Sequence, residues 1–100
     1  MLHTVNKSPY ERNTLESCLR LAEPGSAILL IEDAVYAAIR GTTASERIAE
    51  RIADFSFYVL GPDIAARGLN GAPVLEGVQV VDYGGFVDLV AEHDATQAWL

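Results

Sequence analysis

Basic side chains, cysteines and long apolar runs are all scarce in this 100-residue chain, and each scarcity excludes a class of function. Lys and Arg number 7 against 14 Asp and Glu, for a formal net charge of -7. The basic residues are scattered and never form a run, so the clustered cations that grip a phosphate backbone are missing. Direct nucleic-acid binding by this chain is therefore not expected. The single cysteine, Cys18, cannot close an internal disulfide. No apolar stretch approaches the roughly 18 residues of a membrane span. The opening Met1-Leu2-His3-Thr4-Val5 reads as a strand rather than a charged leader. A cytoplasmic protein without a membrane segment is expected.

The common signatures of cofactor chemistry are absent too. There is no P-loop, no G-x-G-x-x-G after the first strand and no G-x-S-x-G elbow. His3 and His93 lie far apart, and with one cysteine they make no zinc pattern. Neither a metal nor an organic cofactor is expected.

What is present is a strongly apolar, alternating chain. Half of the residues are hydrophobic, which is high for a free monomer of this size and suggests that some apolar surface faces a partner chain. The length suits one domain, residues 1–100. Strands are predicted at Leu2–Val5, Ser26–Ile31, Phe55–Leu60 and Val78–Val81, with a short edge strand over Thr96–Leu100. The continuous apolar run Ser26–Ile31 has the pattern of a strand covered on both faces. Helices are predicted between the strands. One runs from an Asn13/Glu16 capping box to about Leu21, and another follows Asp33 through Ala38. A third starts at a Thr43/Glu46 capping box and carries Ala44, Ile48 and Ile52 on one stripe. A short turn begins at Pro62, and Asp82 caps a helix in which Phe86, Leu89 and Val90 share a face. This alternation implies βαβ units: an α/β fold, a small three-layer domain with a mostly parallel sheet of four to five strands.

In such sheets ligands bind beyond the carboxyl ends of the strands. Those ends carry Lys7 and Ser8, Glu32 and Asp33, Asp63, then Asp82 and Tyr83, with Gly84-Gly85 allowing close backbone approach. They form a polar crevice, or else Asp33, Asp63 and Asp82 serve the N-termini of their helices. Cys18 is the one side chain suited to nucleophilic or redox sulfur chemistry. Yet Leu15, Cys18, Leu19 and Ala22 follow i, i+3, i+4, i+7 spacing, which puts the thiol on or beside the apolar stripe of its helix, where cysteine behaves as a small hydrophobe.

Several segments carry a family resemblance in order along the whole chain. They are Met1-Leu2-His3-Thr4-Val5-Asn6-Lys7-Ser8-Pro9, Ile31-Glu32-Asp33-Ala34-Val35-Tyr36-Ala37-Ala38 and Tyr58-Val59-Leu60-Gly61-Pro62-Asp63-Ile64-Ala65-Ala66-Arg67-Gly68. Val81-Asp82-Tyr83-Gly84-Gly85-Phe86-Val87 and the closing Gln97-Ala98-Trp99-Leu100 complete the set. With these, the chain resembles the DsrH/TusB family within the DsrE/DsrF/DsrH sulfur-relay group. The resemblance implies a subunit of a cytoplasmic heterohexamer with DsrE/TusD-like and DsrF/TusC-like partners, serving a DsrC/TusE-like sulfur carrier protein. Sulfur travels in such complexes as a cysteine persulfide, and the principal sulfur-carrying cysteine belongs to the DsrE/TusD-like partner. The resemblance implies a sulfurtransferase subunit or persulfide carrier rather than a stand-alone enzyme.

Two readings follow from it. DsrH-like chains have a cysteine in the first helix and TusB-like chains usually lack one, so Cys18 favours a DsrH-like subunit of intracellular sulfur oxidation, with Cys18 as candidate persulfide carrier. The alternative is a TusB-like, largely structural subunit of the relay that forms 2-thiouridine at the tRNA wobble position. A nucleotide or small-ligand module at the Asp33, Asp63 and Asp82 loops ranks last, because an acidic crevice repels phosphate.

Overall fold

Strands and helices alternate from end to end of the computed structural model, which describes residues 1–100. The strands are β1 (Leu2–Val5), β2 (Ala27–Leu30), β3 (Ser56–Leu60), β4 (Val78–Val81) and β5 (Thr96–Trp99). The helices are α1 (Thr14–Leu21), a 3-10 helix at Glu32–Ala38, α2 (Thr43–Glu50), α3 (Gly61–Ala66) and α4 (Tyr83–Glu92). One sheet contains every strand in the order β4-β3-β2-β1-β5, and every pairing is parallel. The expected α/β class is therefore observed, with a sheet that is wholly parallel.

The order of the strands decides which face each helix covers. From β1 to β4 the chain steps across the sheet in one direction, and it then returns past β1 to place β5 at the far edge. Crossovers of a single hand put helices of the forward steps on one face and the helix of the return step on the other. The packing follows this rule. On one face Val5, Ile28, Leu30, Phe57, Val59 and Val78 of the sheet pack with Leu15, Cys18 and Leu19 of α1, the 3-10 helix, Ile48 of α2 and Ile64 of α3. On the other face Leu2, Ala27 and Leu29 meet Leu89 of α4, with Ile31, Tyr58, Val81 and Phe86 around them. Strand β2 is buried at all four residues because it has strands on both edges and helices on both faces.

The local signals place the elements, but several of the expected caps do not form as the sequence suggests. Asp82 caps α4 by accepting a hydrogen bond from the Gly85 N–H at 2.8 Å. The cap of α2 lies one residue earlier than the sequence suggests: Thr42 accepts from the Ser45 N–H and Ser45 Oγ accepts from the Thr42 N–H. Thr43 is thus the first helical residue, and Glu46 does not close the box. Asn13 does precede α1, but its side chain makes no capping bond, so the Asn13/Glu16 box does not form. The 3-10 helix likewise starts at Glu32 with no side-chain cap from Asp33. Ile52 lies beyond the end of α2, where its side chain packs near Gly77, which has a φ of +95°. A Cβ at Gly77 would sit 2.8 Å from the Ile52 side chain, so both space and backbone demand glycine there.

Leu29 lies at the centre of the sheet, so Leu29→Ala is expected to lower unfolding stability by about 2–5 kcal/mol. Val80→Ala, at a half-exposed position on the edge strand β4, is expected to change it by less than about 1 kcal/mol. Urea denaturation of the two variants measures the contrast.

Candidate functional site

Cys18 sits in the second turn of α1, on the stripe that Leu15 and Leu19 also occupy, and its residue exposure is 0%. It belongs to the larger core. Burial pushes the thiol up to about 12 from 9.0, because an apolar surrounding disfavours the thiolate. The candidate sulfur nucleophile is thus buried in the isolated chain, in a setting that favours the protonated thiol.

The polar strand ends are drawn together more than the sequence shows. Asp63 does not cap α3. Its Oδ2 accepts from the Glu32 N–H at 2.6 Å, tying the end of β2 to the start of α3. Asp33 pairs with Arg67 Nε at 2.9 Å, and another guanidinium nitrogen of Arg67 donates to the Asp63 carbonyl at 3.1 Å. Glu32 holds a φ of +51°, an unfavourable conformation for a side-chain-bearing residue, and its N–H bond to Asp63 secures it. Arg67 was not singled out from the sequence as a partner of these acids. Its only signal is its place in the turn after α3, thirty-four positions from Asp33, a separation that no local pattern bridges. Asp82, by contrast, is a cap and nothing more. The crevice is therefore an internally paired strut across the ends of β2 and β3, with no free acid–base pair.

A crevice of about 600 Å³ opens elsewhere, between the loop after β1 and the starts of α1 and α2, lined among others by Tyr10, Arg12, Asn13, Glu16, Thr43 and Arg47. Its charges are balanced in part by the Arg47–Glu16 ion pair at 3.2 Å. Cys18 does not line it. No group of three or more His, Cys, Asp or Glu side chains gathers where it could hold a metal ion, and no helix is long and apolar enough to cross a membrane.

His3 and Trp99 meet although they lie ninety-six positions apart. Parallel pairing of β1 with β5 sets His3 against Gln97 and Val5 against Trp99. The Trp99 indole N–H donates to His3 Nδ1 at 3.0 Å, which leaves the ring proton of neutral His3 on Nε2. Burial, with the N-terminal ammonium as a lesser cause, lowers the His3 pKa from 6.5. The pair fastens the edge strand β5 to the centre of the domain.

Known proteins resemble this chain along its whole length. A family model described as "DsrH like protein" matches residues 7–96. The Protein TusB of Pectobacterium parmentieri is 39% identical over 100 residues, covering 99% of this chain and 100% of that protein. The Protein TusB of Escherichia coli strain K12 is 36% identical over 99 residues, covering 99% and 100%. Among solved structures, the ychN protein from E. coli superposes with a TM-score of 0.82 at 20% identity, over 97% of each chain. A protein of unknown function from Methanobacterium thermoautotrophicum superposes with a TM-score of 0.73 at 22% identity, over 97% of this chain and 95% of its own. These two likenesses are likenesses of fold.

Two titrations are expected to report the site. The folded chain holds the Cys18 proton more tightly than the unfolded chain, so that contribution to stability is full below pH 9 and is lost as the pH rises from 9 toward 12. Denaturation midpoints of wild type should fall more steeply over that range than those of Cys18→Ala, and native Cys18 should resist iodoacetamide until denaturant is added. His3 has the opposite sign: the folded chain binds its proton less well, so stability is full above pH 6.5 and declines as the pH falls below it. Trp99 is the only tryptophan. Its fluorescence should shift with that decline, and His3→Gln should flatten the curve.

Proposed function

The chain belongs to the DsrH/TusB family, and on that premise we propose that it is a TusB-like, largely structural subunit of a cytoplasmic sulfur relay. That relay delivers persulfide sulfur toward 2-thiouridine at the tRNA wobble position. The observation that carries the reading is its likeness over 99% of its length to proteins named TusB. The closed environment of Cys18 supports the same choice over a DsrH-like role in sulfur oxidation. Sulfur transfer requires a thiolate to attack the outer sulfur of a persulfide, forming a new S–S bond as the old one breaks and the donor leaves as a thiolate. A thiol with its pKa pushed to about 12 and no exposed surface is poorly suited to that attack.

On this reading the reactive cysteine belongs to a TusD-like partner, a TusC-like chain completes the assembly, and a TusE-like carrier removes the sulfur. This subunit contributes shape and surface. Its acidic character, -7 overall, suits contact with proteins rather than with the tRNA itself.

The assembled complex, loaded with a persulfide donor, is expected to show no added sulfur on the intact mass of this chain. Cys18→Ala should leave the rate of sulfur delivery within about twofold of wild type, since a small buried thiol is replaced without touching the reacting atoms. Added sulfur on this chain that disappears in Cys18→Ala would overturn the structural reading and restore Cys18 as a carrier.

A further inference from the structure

The geometry points to the outer face of α4 as a docking surface for a protein partner whose apolar strip is bordered by Lys and Arg side chains. The inference rests on the reading of this chain as a subunit and deepens it by naming the surface and the chemistry of what it meets.

At about 100° per residue, α4 presents three distinct ridges. Phe86 and Leu89 face the sheet, where Leu89 is buried and Phe86 half-buried. On the outside, Tyr83, Val87 and Val90 follow i, i+4, i+7 spacing and are 61%, 66% and 43% exposed. Asp88 and Glu92 form a third, acidic ridge one turn apart, also exposed. An apolar ridge at helical spacing beside an acidic one differs from the single scattered apolar side chains of an ordinary surface.

The surroundings of the helix are open as well. It covers only the middle of its side of the sheet, over Leu2, Ala27 and Leu29. At the two edges Gln79 of β4 and Thr96 and Ala98 of β5 remain exposed. A helix of 10 residues is about 15 Å long, too short by itself to supply the roughly 800 Å² that each partner buries in a standard interface. The uncovered sheet edges beside it extend the surface.

Charge selects the occupant. Beyond Arg67 the sequence contains Glu76, Asp82, Asp88, Glu92 and Asp94 and no Lys or Arg. Every charged side chain of the segment that carries β4, α4 and β5 is thus acidic. Nucleic acids and anionic lipid surfaces are repelled. A second copy docking by a two-fold axis would bring the same acids face to face. A partner with an apolar strip and a basic border satisfies both ridges at once, the apolar one by burial and the acidic one by steering and register.

The test uses the full chain co-expressed with the TusC-like and TusD-like chains of the same genome, read by light scattering after size exclusion. Val87→Lys is expected to weaken assembly about tenfold or more, the scale of a contact near the centre of an interface. Its thermal midpoint alone should match wild type, because Val87 is exposed. The double reversal Asp88→Lys with Glu92→Lys should weaken assembly at low salt, with the difference from wild type shrinking at about 0.5 M NaCl. Glu46→Lys, exposed on α2 across the sheet, should assemble as wild type does. Assembly unaffected by the α4 variants overturns the docking surface and leaves the subunit reading standing. Failure of wild type to assemble overturns both. A dimer of this chain alone that Val87→Lys dissolves would make the occupant a second copy and refute the basic-bordered partner.

Discussion

A parallel sheet can be extended only by crossovers, and crossovers of one hand give each helix no choice of side once the strand order is set. That constraint organises this molecule. Because β1 to β4 advance in one direction and β5 returns to the opposite edge, four helical segments crowd one face and α4 alone serves the other. Strand β2 is the element that makes both layers possible. Its four residues are buried, and Ile28 and Leu30 feed the larger core while Ala27 and Leu29 feed the smaller one.

The two faces divide the chemistry between them. On the crowded face Cys18 packs as a small hydrophobe, and its apolar setting disfavours the thiolate. On the sparsely covered face the apolar ridge of α4 has solvent where a further layer would sit. The polar groups at the strand ends are occupied with holding the frame: Asp63 secures the strained Glu32, and Arg67 braces Asp33. The result is a chain with a closed interior, a braced rim and an apolar ridge on α4 open to solvent.

The distribution of charge follows the same division. Arg12, Arg20, Arg47 and Arg51 cluster along the crevices beside α1 and α2, interleaved with Glu16 and Glu50. The C-terminal third has acids only. An overall charge of -7 therefore understates how one-sided the C-terminal segment is, and it is local sign rather than the total that selects a partner.

The sequence by itself determined the elements and their class. The apolar run around Ala27–Leu30 marks a strand buried on both faces, and the breakers at Pro24-Gly25, Gly61-Pro62 and Gly68–Pro73 separate the segments. Asp82 capping α4 was also legible, because a cap is a bond between near neighbours in the chain. Helical spacing alone already placed Cys18 beside the apolar stripe of α1. Only the tertiary structure decided that this stripe faces the fully covered side of the sheet, and that the α4 stripe beside Phe86 and Leu89 leaves Tyr83, Val87 and Val90 outside. It alone joined Arg67 to Asp33 and Trp99 to His3. Periodicity reports which residues share a face of one element, but which faces meet depends on strand order and crossover hand, and those are relations between segments far apart in the chain.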